Sequence, residues 1–257
     1  MKHLLIASCV LLALSATAAS AAGINLTWST GTVGCWPEKV TSVMTWSCGN
    51  ETDGPWTFVA SFKMDAAKTD FIGISAILGG QSTPTDLPDW WQVYNAGSCR
   101  RTSVTTSADF TAAAKTVCKD PFAGAATGGI TAWYTAAYPP PSPIIVPAPS
   151  RFRMKVAFTM ATSKTLSATS EWYAFRGMID AAHTTVTQPL CSGCATTMYL
   201  DLSEIGVIGS NSSYKITAPH TNTCIAWQAL QTDYQFCNLA GTPVRNNTWG
   251  QVKGLYR

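Results

Sequence analysis

Arg151-Phe152-Arg153-Met154-Lys155-Val156-Ala157-Phe158-Thr159-Met160 is the stretch that decides the fold. Its apolar residues, Phe152, Met154, Val156, Phe158 and Met160, alternate with Arg151, Arg153, Lys155, Ala157 and Thr159. A period of two puts one set on a buried face and the other toward solvent, which is the pattern of a half-covered β-strand. Shorter stretches repeat it. Trp56, Phe58, Ala60, Phe62 and Met64 alternate with Thr57, Val59, Ser61 and Lys63, and Ile24, Leu26 and Trp28 alternate with Asn25, Thr27 and Ser29.

Further strands are predicted over 41–48, 70–78, 90–95, 103–110, 130–138, 171–179, 198–208, 214–217 and 223–229. Helix formers are scarce, with four Glu in the whole chain, while aromatics reach 11%. That bias favours strands. Many short strands punctuated by Gly, Pro, Asn and Ser predict an all-β fold, an antiparallel β-sandwich of the jelly-roll kind. Tyr138-Pro139-Pro140-Pro141-Ser142-Pro143-Ile144-Ile145-Val146-Pro147-Ala148-Pro149 is the one compositional break. It is expected as extended chain, a surface loop of one sandwich domain over 23–257 in preference to a linker between two.

The 257 residues carry 17 Lys and Arg against 14 Asp and Glu, and only 12% are charged. This balance excludes a disordered tail and a polybasic nucleic-acid binder. Met1-Lys2-His3, the apolar Leu4 to Leu14 and the small residues of Ser15 to Ala22 predict a secretory signal over 1–22. No later apolar run is long enough to span a bilayer, so the mature chain is expected outside the cytoplasm with no membrane span.

Nine cysteines less Cys9 leave eight: Cys35, Cys48, Cys99, Cys118, Cys191, Cys194, Cys224 and Cys237. Secretion makes disulfides the expectation. Eight thiols allow on the order of a hundred pairings. Pairing of sequence neighbours (35 with 48, 99 with 118, 191 with 194, 224 with 237) is expected, each closing a short loop; a loop of about fifteen residues is worth about 3 kcal/mol in the chain-entropy model. Cys191-Ser192-Gly193-Cys194 lacks the following helix that a redox pair uses, and Cys224 to Cys237 is too wide for the second half of a zinc site.

Leu26-Thr27-Trp28-Ser29, Leu87-Pro88-Asp89-Trp90-Trp91, Gly97-Ser98-Cys99-Arg100, Cys118-Lys119-Asp120-Pro121 with Gly128-Gly129-Ile130, Glu171-Trp172-Tyr173-Ala174-Phe175-Arg176 and Cys191-Ser192-Gly193-Cys194 resemble a family of secreted bacterial proteins of unassigned function. The resemblance spans residues 26 to 194. It implies a bacterial, extracytoplasmic protein, in which the sequons at Asn25, Asn50, Asn211 and Asn246 are accidental. It implies no activity and no site residues.

Catalytic signatures are few. A serine or cysteine hydrolase needs a base, and the mature chain has only His183 and His220, without a G-x-S-x-G elbow. No H-E-x-x-H or EF-hand spacing occurs, so neither metal nor cofactor is expected. Gly124 to Gly129 lacks the Lys-Ser/Thr of a phosphate loop. Tyr199-Leu200-Asp201-Leu202-Ser203-Glu204 is similar to the E-x-D-x-x-E strand of jelly-roll β-glucanases, and one bulge would put positions 199, 201 and 204 on a common face. Asp201 and Glu204 match the Asp and the acid/base, but Tyr199 stands where the nucleophile belongs. Glu171 is the carboxylate that could supply it from elsewhere.

Three aromatic pairs, Trp90-Trp91, Trp133-Tyr134 and Trp172-Tyr173, must each send one ring off the core face if they lie on strands. The flanking residues assign Trp90, Trp133 and Trp172 to the exposed side, with Arg176 beside Trp172. Exposed indoles on a rigid sheet stack on sugar rings or pack on another protein. The expected function is therefore a secreted, non-catalytic module that recognises extracellular polysaccharide through these residues, with Gln92 or Asp89 also orienting hydroxyls. The alternatives are a cell-surface structural or protein-interaction module whose partner is a surface protein, and a glycoside hydrolase using Asp201 and Glu204.

Overall fold

The computed structural model describes residues 22–29, 35, 41–113, 117–136, 148–219 and 222–229. The expected signal segment and most of the Pro-rich segment lie outside the described residues.

The described residues form two sheets. The first has strands in the order β1 (Gly23–Ser29), β3 (Trp56–Lys63), β9 (Glu171–Ile179) and β5 (Val104–Ser107), with the short β6 (Cys118–Lys119) also against β9. The second runs β2 (Val43–Met44), β12 (Cys224–Trp227), β10 (Met198–Gly209), β4 (Lys68–Ser82), β8 (Arg151–Leu166) and β7 (Thr127–Thr135), with β11 (Ser213–Ile216) against β10. Pairing is antiparallel except for β6 with β9 and β2 with β12. No helix among the described residues is long and apolar enough to cross a membrane.

The alternation of Arg151 to Met160 decides the layering as its sequence predicts. Phe152, Met154, Val156, Phe158 and Met160 are buried, and Arg151, Arg153, Lys155, Ala157 and Thr159 are not. The strand runs six residues further, to Leu166. Its buried side joins Leu26, Trp28, Phe58, Phe62, Leu78 and Leu200 in one core drawn from both sheets, which makes the molecule a β-sandwich. At about 25 cal/mol per Å2 of apolar surface, this interdigitated layer is the main source of stability. The strands flanking the Pro-rich segment, β7 and β8, pair with each other, so that segment joins neighbours within one sheet.

The stretch 90–95 departs from expectation. Asp89–Trp91 is a single 3₁₀ turn, and residues 92–95 continue as turn and loop. Pro88 starts the turn, its carbonyl accepting the Trp91 N–H at 2.9 Å, while the Trp90 N–H is taken by the Ser192 carbonyl. The period-two reading of faces therefore has no meaning there.

The cysteine pairing differs too. Cys35 bonds Cys118, Cys48 bonds Cys194 and Cys99 bonds Cys191, across sequence separations of 83, 146 and 92. Cys224 is also disulfide-bonded, and Cys237 lies outside the described residues. For 35 with 48, 99 with 118 and 191 with 194, neighbour pairing fails because the sandwich brings distant loops together at its ends. Gly193 separates Cys191 from Cys194 at a φ of 100°, and a Cβ there would lie 2.4 Å from the Pro88 ring. Glycine lets the two thiols of the C-S-G-C run diverge to separate partners.

Candidate functional site

The two sheets treat their outer faces differently, and this locates the site. On the first sheet Asn25, Thr27, Val59, Ser61 and Tyr173 are buried on the side away from the core. Phe110 stacks on Tyr173 with ring centroids 4.2 Å apart, beside the Cys35–Cys118 bridge. Glu171 belongs to this covered face, taking hydrogen bonds from Asn25 Nδ2 at 2.7 Å and Ser61 Oγ at 2.6 Å. On the second sheet the outward residues of β7, β8 and β4 remain half-buried or exposed.

One register row crosses the outer face of this sheet, from Tyr134 on β7, Arg153 on β8 and Gly79 on β4, where it is open, to Asp201 on β10 and Cys224 on β12, where Cys224 is buried with Tyr199, Ala226 and Ala229. A parallel row carries Ala132, Lys155, Ile77 and Glu204. Strands lie about 4.8 Å apart, so Arg153 and Asp201 face each other over a gap of about 10 Å. The floor of that gap is Gly79. A Cβ there would touch only the carbonyl oxygens of Asp201 and Phe152, each at 3.9 Å. The result is a shallow trough with a cation on one wall and a carboxyl on the other.

Asp201 is held in an unusual state. Its Oδ1 is buried without a hydrogen-bond partner, and burial pushes its carboxyl up to about 7, against a smaller opposing effect of the Thr223 side-chain hydrogen bond. Losing water disfavours the carboxylate, so the group holds a proton near neutrality. Glu204 on the same strand pairs with Lys215 Nζ at 3.1 Å. Lys155 Nζ lies 5.9 Å from the Tyr134 ring.

The bulge that would align Asp201 with Glu204 is present: the register of β10 on β4 shifts between Leu202 and Glu204. Tyr199, Asp201 and Glu204 thus share a face. Glu171 cannot complete a carboxylate pair with them, because it is bonded into the other sheet. Asp201 and Glu204 both come from one strand. The trough can bind and can hold a proton, but it offers no facing nucleophile of the kind retaining glycosidases use. No group of three or more His, Cys, Asp or Glu among the described residues could hold a metal ion.

The indole platform expected from the sequence is not assembled. Trp90 is 0% exposed: its ring lies between the Arg100 guanidinium at 4.0 Å and the stacked ring of Trp227 at 5.2 Å. Trp227 also meets Trp28, Trp46, Trp56 and Trp91, so this end of the core is a cluster of indoles. Trp172 is 8% exposed and belongs to the core. A bulge opposite Ala60 and Ser61 shifts the phase of β9 between Tyr173 and Phe175, which sends Trp172 inward and Tyr173 outward. Trp133 is half-buried on the core side, stacked on Phe152 at 4.3 Å and donating its Nε1 to Asn95 Oδ1 at 2.9 Å. A bulge between Ile130 and Ala132 leaves Tyr134 as the outward ring. Arg176 sits on the other sheet, across from Val59 and Ser107, with Nε buried and unpartnered. Tyr134, Arg153 and Gly79 went unread in the sequence. Their signal was the outward set of β8, which the alternation exposes but does not mark as a site.

A second polar constellation braces the disulfide-bonded end. The Glu51 carboxylate accepts the Thr185, Val186 and Thr187 N–H groups at 2.8, 2.9 and 3.1 Å, and the Thr187 hydroxyl. These bonds, led by that hydroxyl, hold the exposed carboxyl down to about 2. A depressed carboxyl pKa contributes stability that is complete above its ordinary value near 4.5 and lost as pH falls through about 2. Glu51→Gln is expected to accelerate hydrogen exchange at the Thr185, Val186 and Thr187 amides several-fold at neutral pH while the sheet amides keep their rates. Unchanged exchange at those three amides would show that the loop holds without the carboxylate. His183, in the same loop at a φ of 64°, places Nδ1 3.0 Å from the Pro189 carbonyl oxygen, a turn role; His220 lies outside the described residues.

Comparison with known proteins gives no match to a family model, to a curated protein or to a solved structure.

Proposed function

We propose that this chain is a secreted, non-catalytic binding protein that recognises carbohydrate on the outer face of the seven-stranded sheet. The carrying observation is the row of Tyr134, Arg153 and Gly79 on the part of this face that β7, β8 and β4 leave half-buried or exposed, with Asp201 at its buried margin. A flat, rigid surface with an aromatic ring, a glycine floor and hydrogen-bonding side chains of both kinds suits a sugar chain, whose faces are apolar and whose edges are hydroxyls. Gln81, on β4 beside Gly79, adds an amide that both donates and accepts. Three disulfides fit an oxidising compartment and support the extracytoplasmic assignment.

Titration calorimetry against neutral and acidic polysaccharides tests the reading. Binding to at least one is expected, weakened at least about tenfold by combined Tyr134→Ala and Gln81→Ala, a loss typical of two contact side chains. Arg176→Ala, on the opposite sheet, is expected to leave it unchanged. Silence across the panel would end the reading, and a loss at Arg176 would move the site.

A second reading has its own observation. Val186 is 75% exposed and Leu190 is also exposed, both on the Glu51-held loop. Apolar side chains presented on a braced loop suit a protein partner. Concentration-dependent sedimentation abolished by Val186→Ser with Leu190→Ser would favour it.

A further inference from the structure

We propose that the glycan bound on this face is acidic, a polysaccharide bearing carboxylate or sulfate groups, laid along β8 against Arg151, Arg153 and Lys155. The proposal rests on the carbohydrate reading above and specifies the ligand class. Residues two apart on a strand are about 6.7 Å apart, so the three cations form a ladder about 13 Å long on one side of one strand. None is in an ion pair among the described residues. The pairs there are Lys68 with Asp70, Arg100 with Asp180 and Lys215 with Glu204.

The rest of the face leaves this charge uncompensated. Glu204 is already engaged by Lys215, and Asp201 stands across Gly79 with no ion pair. Positions beside the ladder are small or neutral: Gly79, Ile77 and Gln81 on β4, Ala132 on β7. A polymer can therefore lie close to the cations without meeting a fixed anion. Like charges held on one strand repel, and an anionic chain relieves that repulsion while a neutral one does not. Arginine adds bidentate recognition of carboxylate or sulfate oxygens.

The same features weigh against nucleic acid. Single-strand binders interleave cations with several stacking rings, whereas the ring beside this ladder is Tyr134, with Lys155 against it, and Tyr199 on the same face is buried. The whole chain carries only +3. A phosphate polymer read by charge alone would want a wider cationic field.

The test uses the mature, oxidised protein with polygalacturonate, the same polymer after carboxyl reduction, duplex DNA, and vesicles containing anionic lipid. Polygalacturonate is expected to bind at least about tenfold more tightly than its reduced form, with affinity falling as salt rises. Arg153→Gln with Lys155→Gln is expected to remove that preference and flatten the salt dependence while the melting temperature stays within a few degrees. Equal binding of native and reduced polymer would overturn the acidic assignment and leave the carbohydrate reading standing. Failure of both polymers, and of the neutral panel, would overturn both. DNA or vesicles binding as tightly, with the same response to the variant, would show a surface that reads charge alone and would overturn the glycan.

Discussion

A double Cys48→Ser, Cys194→Ser variant should unfold about 4 kcal/mol more easily than the parent chain. The bridge spans a separation of 146 residues, and an isolated loop of that size is worth about 5 kcal/mol in the chain-entropy model. Cys99–Cys191 is nested inside it and already shortens the open loop of the unfolded chain, which lowers the figure by about 1 kcal/mol. A pair closing only the thirteen residues from Cys48 back to Cys35 would have contributed about 3 kcal/mol. Urea unfolding of the oxidised proteins, followed by indole fluorescence, measures the difference. A loss under about 1 kcal/mol would mean that the ends of the sandwich are held without the bridge and that the entropy model does not apply here. Trp46 and Trp56, 4.1 Å apart and on either side of the segment carrying Cys48, report locally on its release.

Arg100 shows why that end of the molecule has little freedom. Its side chain is fully buried, with NH1 on Asp180 Oδ1 at 3.1 Å and on the Ala182 carbonyl, NH2 on the Asp180 carbonyl at 2.8 Å, and Nε on the Trp90 carbonyl at 3.3 Å. Burial pulls the guanidinium down to about 10, with Asp180 acting in the other direction. A buried cation is tolerated only when its donors are satisfied, and here they clamp the turn that carries Trp90 against the loop that follows β9. The indoles assembled there are thus structural.

What was legible in the sequence follows from how local each signal is. The alternation of Arg151 to Met160 reports burial directly, because neighbouring side chains on a strand cannot share a face. It placed β8 correctly, and with it the two-layer design. The same rule misassigned Trp133 and Trp172, because bulges at Ile130–Ala132 and opposite Ala60–Ser61 insert one residue and invert the phase beyond them. Trp90 was misread for another reason: Pro88 and the Ser192 carbonyl set a 3₁₀ turn, where a period of two does not apply. Disulfide partners were illegible, since pairing depends on which loops meet at the ends of the folded sandwich. The bulge that the glucanase-like spacing would require to align Asp201 with Glu204 is present. Spacing could not foresee that Gly79 would lie beside Asp201, because that depends on the register of β4, a strand more than a hundred residues away.

Asp201→Asn should stabilise the protein by up to about 4 kcal/mol at pH 8 and hardly at all at pH 4. Burial raises this carboxyl from its ordinary value of 3.8 to about 7, so the folded state keeps a proton that the unfolded state releases. Below pH 4 both states are protonated and the group costs nothing. Between pH 4 and 7 the unfolded state loses its proton first, and stability falls by about 1.4 kcal/mol per pH unit. Above pH 7 the cost is constant. No cation among the described residues offsets it: Arg153 and Lys155 stand two strands away beyond β4, Lys215 is engaged by Glu204, and the neighbours on β12 and β10, Cys224 and Tyr199, bring no positive charge. Asparagine keeps the shape, can still accept from Thr223 and has no charge to desolvate. For a domain of this size the gain corresponds to about 8–16 °C in melting temperature at pH 8. Other carboxyls, Glu51 and Asp70 among them, are held low by their hydrogen bonds and act in the opposite direction. The difference between variant and parent across pH 4 to 9 therefore isolates position 201. A constant difference over that range would show that Asp201 is solvated in the folded protein, and the trough would then be an ordinary wet surface rather than a partly dried one that holds a proton near neutrality.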